Sequence, residues 1–152
     1  MALPYENSTA GAKALADAEK ILRKFGCSNF GVMNDWARGV VIVQFTWKDR
    51  AIHLEASWRG YAALWLKEHP HRRGSQARHH ERAKKLGEMA VPSILRDWIK
   101  GQITAVEIGL MPFDHAFMPH MMLRDGTRLV DKMQLLLEAP KDDAPTPRGA
   151  GG

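Results

Sequence analysis

Seven Lys/Arg residues fall between positions 67 and 85: Lys67, Arg72, Arg73, Arg78, Arg82, Lys84 and Lys85. Only Glu68 and Glu81 offset them, so the stretch carries +5, equal to the net charge of the whole 152-residue chain. The remaining residues balance at 15 basic and 15 acidic. Such a cluster captures anions. Guanidinium groups fork onto phosphate or carboxylate oxygens, and ammonium groups add point charge. At ~100° per residue on a helix, Arg78, Arg82 and Lys85 fall within about 60° of one another. They form one outward stripe, with Ala83, Leu86 and Ala90 on a different, anchoring face. Lys84 flanks the stripe, and Arg72 and Arg73 precede it in a loop. These six cations are the candidate contacts for nucleic acid, where neutralised phosphates release condensed counterions. Trp58, Tyr61 and Trp65 could stack on unpaired bases, although their spacing is equally that of core positions. The same charge suits an acidic face of a protein. The plainer account is a solvated helix surface with no partner at all.

Histidines raise a second chemistry. His69, His71, His79 and His80 sit in the same stretch, and imidazole is the commonest metal ligand. Adjacent helical residues point about 100° apart, so His79 and His80 do not readily share one ion. His79 leans toward the apolar face, where a hydrogen-bonded core histidine is usual. No metal ligand and no cofactor is assigned. Hydrolysis would need paired carboxylates or a nucleophile with a base. The candidate acids are Glu55, Asp97, Glu107, Asp114 and Asp125. Asp97 and Glu107 fall on the polar face of a helix, Asp114 suits a turn cap, and Asp125-Gly126 is turn chemistry. No nucleophile elbow, phosphate-binding glycine loop or two-His helical zinc motif is present. Cys27, the single cysteine, has no catalytic signature around it and follows Gly26 as a small buried residue would. No catalytic residue is therefore assigned.

The positioning elements follow from periodicity. Thr9 to Phe25 reads as an amphipathic helix, capped by Asn7 or Ser8 and ended by Gly26. Asn29 to Met33, Gly39 to Trp47 and Ala51 to Glu55 read as strands of an antiparallel meander, with Lys48-Asp49-Arg50 as a tight turn. A helix is expected from Trp58 to His69, then a break at Pro70 to Gly74, then a long helical segment from Ser75 to Gly109. Pro92 should kink or divide that segment. Ile94 to Val106 carries a wide apolar stripe and should be the central buried helix, with Trp98 in the core. A helix-turn-helix over Ser75 to Gln102 is conceivable but shows no clear turn. Zinc-finger spacing, bZIP heptads and RNP-type strands are missing. A short helix around Phe113 to Phe117, a strand at Met121 to Leu123, a turn at Arg124 to Thr127 and a last amphipathic segment from Arg128 to Leu137 complete the pattern. The fold class is α+β: an N-terminal helix packed on a three-stranded antiparallel meander, then a mostly helical half. Residues 1–138 form one domain, and 139–152 form a disordered Pro/Gly-rich tail.

Composition agrees. The chain is 45% hydrophobic and 26% charged, values typical of a globular domain. One thiol makes no internal disulfide, which points to a reducing compartment. The first residues lack the basic and apolar regions of a signal peptide, and no run reaches the ~18 apolar residues of a membrane span. A cytoplasmic protein without membrane contact is expected. Its pI near 9.6 favours an anionic partner, while oligomeric state is not readable.

Three stretches carry a likeness: Tyr5-Glu6-Asn7-Ser8-Thr9 leading to Ile21-Leu22-Arg23-Lys24-Phe25-Gly26; Ile94 through Gln102; and Ala116-Phe117-Met118-Pro119-His120 through Asp125-Gly126-Thr127. Together they resemble a loose group of small bacteriophage- and prophage-encoded proteins. The resemblance spans most of the chain but carries no catalytic motif and transfers no site residues. It implies a phage setting, the host cytoplasm, and a non-enzymatic accessory protein acting on DNA or on a host machine. The expected function is thus nucleic-acid binding through the basic helical stripe. Inhibition or adaptation of an acidic host protein is the alternative, and a metal-dependent nuclease the third.

Overall fold

Apolar residues at helical spacing bury one face of α1 (Ala12–Phe25): Ala14, Leu15, Ala18 and Leu22. The helix closes on Gly26, whose left-handed φ of 111° lets its N–H reach back to the Leu22 and Arg23 carbonyls. In the computed structural model, which describes residues 2–138, three strands follow: β1 (Asn29–Asp35), β2 (Val40–Trp47) and β3 (Arg50–Ser57). They pair antiparallel in the order β1-β2-β3. The register sets Phe30 opposite Phe45 and Val32 opposite Val43. It also sets Phe45 opposite Ile52 and Val43 opposite Leu54. Alternation sends these side chains to one face, where all but the exposed Val32 join Leu15, Ala18 and Leu22 of α1.

Helix α2 (Trp58–Glu68) begins at Ser57, whose hydroxyl accepts from the Gly60 N–H at 2.8 Å. After the loop 69–75, α3 (Gln76–Glu107) runs for 32 residues. Its second half adds Leu95, Ile99 and Ile103 to the core beneath the sheet. Helix α4 (Phe113–Phe117) supplies Phe113 and Phe117, a 3-10 turn spans Met118–His120, and α5 (Leu129–Leu137) ends the described chain. This is the anticipated α+β architecture, a helix-backed meander followed by a mostly helical half. The tail 139–152 lies outside the described residues.

Four details differ from expectation. Helix α1 starts at Ala12, three residues late, with Gly11 at the N-cap and no side-chain cap. Ser8 is engaged elsewhere: its hydroxyl bonds Ser93 of α3 at 2.5 Å. Pro92 does not divide α3, because Val91, Pro92, Ser93 and Leu95 are all buried, and that packing outweighs one lost hydrogen bond. The strand expected at Met121 to Leu123 shrinks to isolated bridges, Ile52 with Met121 and Met122 with Arg128. Trp98 is only half-buried, edge-on to Phe117 and His120.

The tightest approach is between α2 and α3. A Cβ added at Gly87 would sit 2.5 Å from the Trp58 carbonyl oxygen. Gly87→Ala should therefore lower the urea midpoint, although alanine in a free helix would add about 1 kcal/mol of stability. A neutral or stabilising result would mean the helices part easily. His120 offers a pH test. Burial pushes its imidazole below the ordinary value, and Arg128 adds to the shift. Its Nδ1 is buried without a partner among the described residues. The unfolded chain then takes up the proton first, so the stabilising contribution is full above about pH 6.5 and fades as pH falls. His120→Leu should flatten the melting temperature between pH 6.5 and 5.

Candidate functional site

The basic segment is held by α3. Ser75 starts this helix, its hydroxyl accepting from the Arg78 N–H at 3.3 Å. Ala83, Gly87 and Ala90, spaced four and three residues apart, are buried on the inner side. Ala83 packs with Ala62 and Trp65 of α2. That contact fixes the roll of the helix and turns Arg78, Arg82 and Lys85 outward, where all three are exposed. They line one shallow groove of about 440 Å³, together with Ser8, Glu81, Leu86 and Met89.

Arg72, Arg73, Arg78, Arg82 and Lys85 form no ion pair among the described residues, although ion pairs are common elsewhere on the surface. Glu81 is the one carboxylate lining the groove. The other three candidate cations lie outside the groove. Lys84 does not line the groove: its ammonium lies 3.9 Å from Glu88 and 5.9 Å from the Trp58 ring. Arg72 and Arg73 are exposed on the loop before α3 and also lie outside the lining.

The aromatic rings are structural. Trp58 and Trp65 are buried, and half-buried Tyr61 donates its hydroxyl to the Pro4 carbonyl at 2.7 Å. None of the three is presented for stacking on a base. Trp65 is the hub of the loop. Its indole N–H donates to Glu6, His69 stacks on it at 4.5 Å, His79 leans on it at 5.0 Å, and the Arg82 guanidinium lies 5.6 Å from the ring centre. Burying the indole N–H against a carboxylate explains why residues 3–11 cross α2 and α3 before α1 begins.

The four histidines act as staples. His69 bonds the Trp65 carbonyl at 3.1 Å, and His71 bonds Gly74 at 2.8 Å. His79 bonds the His69 carbonyl at 2.6 Å, and His80 bonds Gln76 at 2.9 Å. Each imidazole N–H thus satisfies a backbone carbonyl, as anticipated for His79. Among the described residues, no group of three or more His, Cys, Asp or Glu side chains could hold a metal ion.

The candidate acids are dispersed, and four of them are occupied. Asp97 accepts from the Tyr5 hydroxyl at 2.6 Å and from Arg96 at 3.0 Å, bonds that hold its carboxyl below the usual range. Asp114 takes a two-pronged contact from Arg50, both at 3.0 Å, and is lowered likewise. Asp125 bonds Lys132 and Thr127. Glu55 accepts from Arg38 at 2.6 Å and from His53 at 3.1 Å, which keeps it ionised. Glu107 is exposed at the end of α3. None pairs with a second carboxylate or a nucleophile in the manner of a hydrolase. Burial raises the Cys27 thiol to about 11, which leaves it protonated at neutral pH and poorly nucleophilic.

Sequence reading missed Met89 and Ser8 in the groove. Met89 was reachable, because positions 78, 82, 85 and 89 repeat at three- and four-residue steps along one helix face. Ser8 was not, since nothing local shows that residues 3–11 fold back over α3. No family model, curated protein or solved structure matches the chain. No helix among the described residues is long and apolar enough to cross a membrane.

Because the groove cations are exposed and Arg82 touches the core only over the Trp65 ring, Arg78→Glu with Arg82→Glu should cost about 1 kcal/mol or less, mostly the lost cation–π contact. Trp65→Ala should cost about 3–5 kcal/mol. Urea unfolding of both variants checks the contrast. A double variant as damaging as Trp65→Ala would show the stripe to be structural.

Proposed function

We propose that this protein is a small, non-enzymatic, cytoplasmic nucleic-acid-binding protein that grips phosphates through the α3 groove. The supporting observation is the convergence of Arg78, Arg82 and Lys85 on one groove without ion-pair partners among the described residues. Unpaired exposed cations pay little desolvation when an anion arrives, and their attraction is not already spent on a neighbouring carboxylate. Arg72 and Arg73 extend the positive surface from the preceding loop. The aromatic rings being buried, the contact is to the sugar-phosphate backbone, with little base specificity. The phage setting, and with it a role as an accessory factor in a host cell, rests on the sequence resemblance.

One observation favours a second reading. The groove has an apolar floor, Leu86 and Met89, which suits an acidic protein segment carrying an apolar side chain. Such a host-protein inhibitor or adaptor would use the same cations. The nuclease reading has no donor set among the described residues and gains no support.

Gel retardation with single- and double-stranded DNA and RNA at two salt concentrations separates the two surviving readings. Three to five phosphate contacts should give a slope of log K against log salt of about −2.7 to −4.5. Arg78→Glu with Arg82→Glu should reduce the magnitude of that slope by about 2. No retardation at low salt would remove the phosphate reading. Capture of one dominant protein from a nuclease-treated lysate, lost in the same double variant, would then support the adaptor.

A further inference from the structure

The two edges of the sheet are treated differently. Beyond β3, Met121 bridges Ile52 and the Met122 N–H donates to the Ala51 carbonyl at 2.9 Å, so that edge is capped. Beyond β1, no backbone partner occurs among the described residues. Edge strands are ordinarily blunted by lysine, proline or a bulge. Strand β1, Asn-Phe-Gly-Val-Met-Asn-Asp, has no lysine, arginine or proline, and its one charge is terminal Asp35. Val32 is 40% exposed, Met33 56% and the adjoining Trp36 73%. A row of unpaired N–H and C=O groups flanked by exposed apolar side chains is a template for another strand.

We infer that β1 pairs antiparallel with β1 of a second copy of this chain, about a two-fold axis through Val32, giving a continuous six-stranded sheet. The second copy is the occupant because β1 is complementary to itself in this register. Asn29 falls opposite Asp35, Phe30 opposite Asn34, Gly31 opposite Met33, and Val32 opposite Val32. All seven residues pair, no like charges meet, and inward side chains stay inward. A register slipped by one residue would set inward side chains against outward ones. The same register brings Trp36 opposite Ser28 of the second copy. A small cleft of about 90 Å³ lies there, lined by Arg23, Cys27, Ser28 and Phe30 among others. Arg23, 81% exposed and 3.7 Å from Glu19, which lines the same cleft, offers its guanidinium face to the indole.

Sedimentation of the full chain over a wide concentration range tests this. A species of twice the 17.1 kDa chain mass is expected. An added Cβ at Gly31 meets nothing within 4 Å, and Met33 is exposed, so both positions accept substitution. Gly31→Lys with Met33→Lys sets ammonium groups directly opposite each other and should abolish the dimer, with folding checked by circular dichroism. Gly31→Glu with Met33→Lys sets opposite charges across the axis and should keep it. Trp36→Ala, outside the strand, should weaken it at least tenfold and carries the test if the lysine variant unfolds. A chain that stays monomeric throughout overturns the inference. So does a dimer that survives the two lysines, or one lost only on Leu135→Ser with Leu136→Ser, which would place the interface on α5. Failure of the Glu/Lys variant to dimerise overturns the self-paired register.

Discussion

The approach of α2 to α3 at Gly87 constrains most of what the surface presents. With no side chain at that position, the helix backbones close to a distance that a single methyl group would disturb. Ala83 and Ala90, both fully buried, continue the same line. Once this seam is set, α3 has no rotational freedom left. Leu95, Ile99 and Ile103 must face the sheet, and the cations of the first turns must face water. A helix of 32 residues is also ~48 Å long. The meander covers only its second half, so the first half leans on α2 and on the segment before α1.

Charge follows the same division. Around the sheet and the chain end, acids and bases are matched in local pairs: Arg38 with Glu55, Arg50 with Asp114, Lys132 with Asp125. At the start of α3 they are not matched. The field of the molecule is therefore directional, since residues 67–85 carry a net charge of +5, equal to that of the whole chain. Exposed pairs of the first kind add little stability. Their effect is to leave the rest of the surface close to neutral, which sharpens the contrast with the basic groove.

Much of this was legible in the chain. The 3.6-residue stripes of α1 and of Leu95, Ile99 and Ile103, the two-residue alternation of Val41, Val43 and Phe45, and Gly26 as a helix stop are local signals, and they placed the elements to within a few residues. Arg78, Arg82 and Lys85 were grouped correctly because a helical wheel is also local. The failures are tertiary. Ser8 looked like a cap but serves Ser93, 85 positions away. Pro92 looked like a break but is locked between buried neighbours. Trp65 had a partner, Glu6, that no spacing rule connects to it. The bare edge of β1 became visible only once the strand order was known, because nothing in Asn29–Asp35 says which neighbour it lacks.

Residues 3–11 hold a leverage disproportionate to their length. Tyr5 reaches Asp97, Ser8 reaches Ser93, Pro4 accepts from Tyr61, and Glu6 anchors the indole on which His69 and His79 rest. Trimming this short strap would delete no arginine or lysine. It would nevertheless unlatch the indole, slacken the loop that carries Arg72 and Arg73, and strip one wall from the groove. The arrangement of the basic groove is thus governed from a stretch of chain that itself contains no positive side chain.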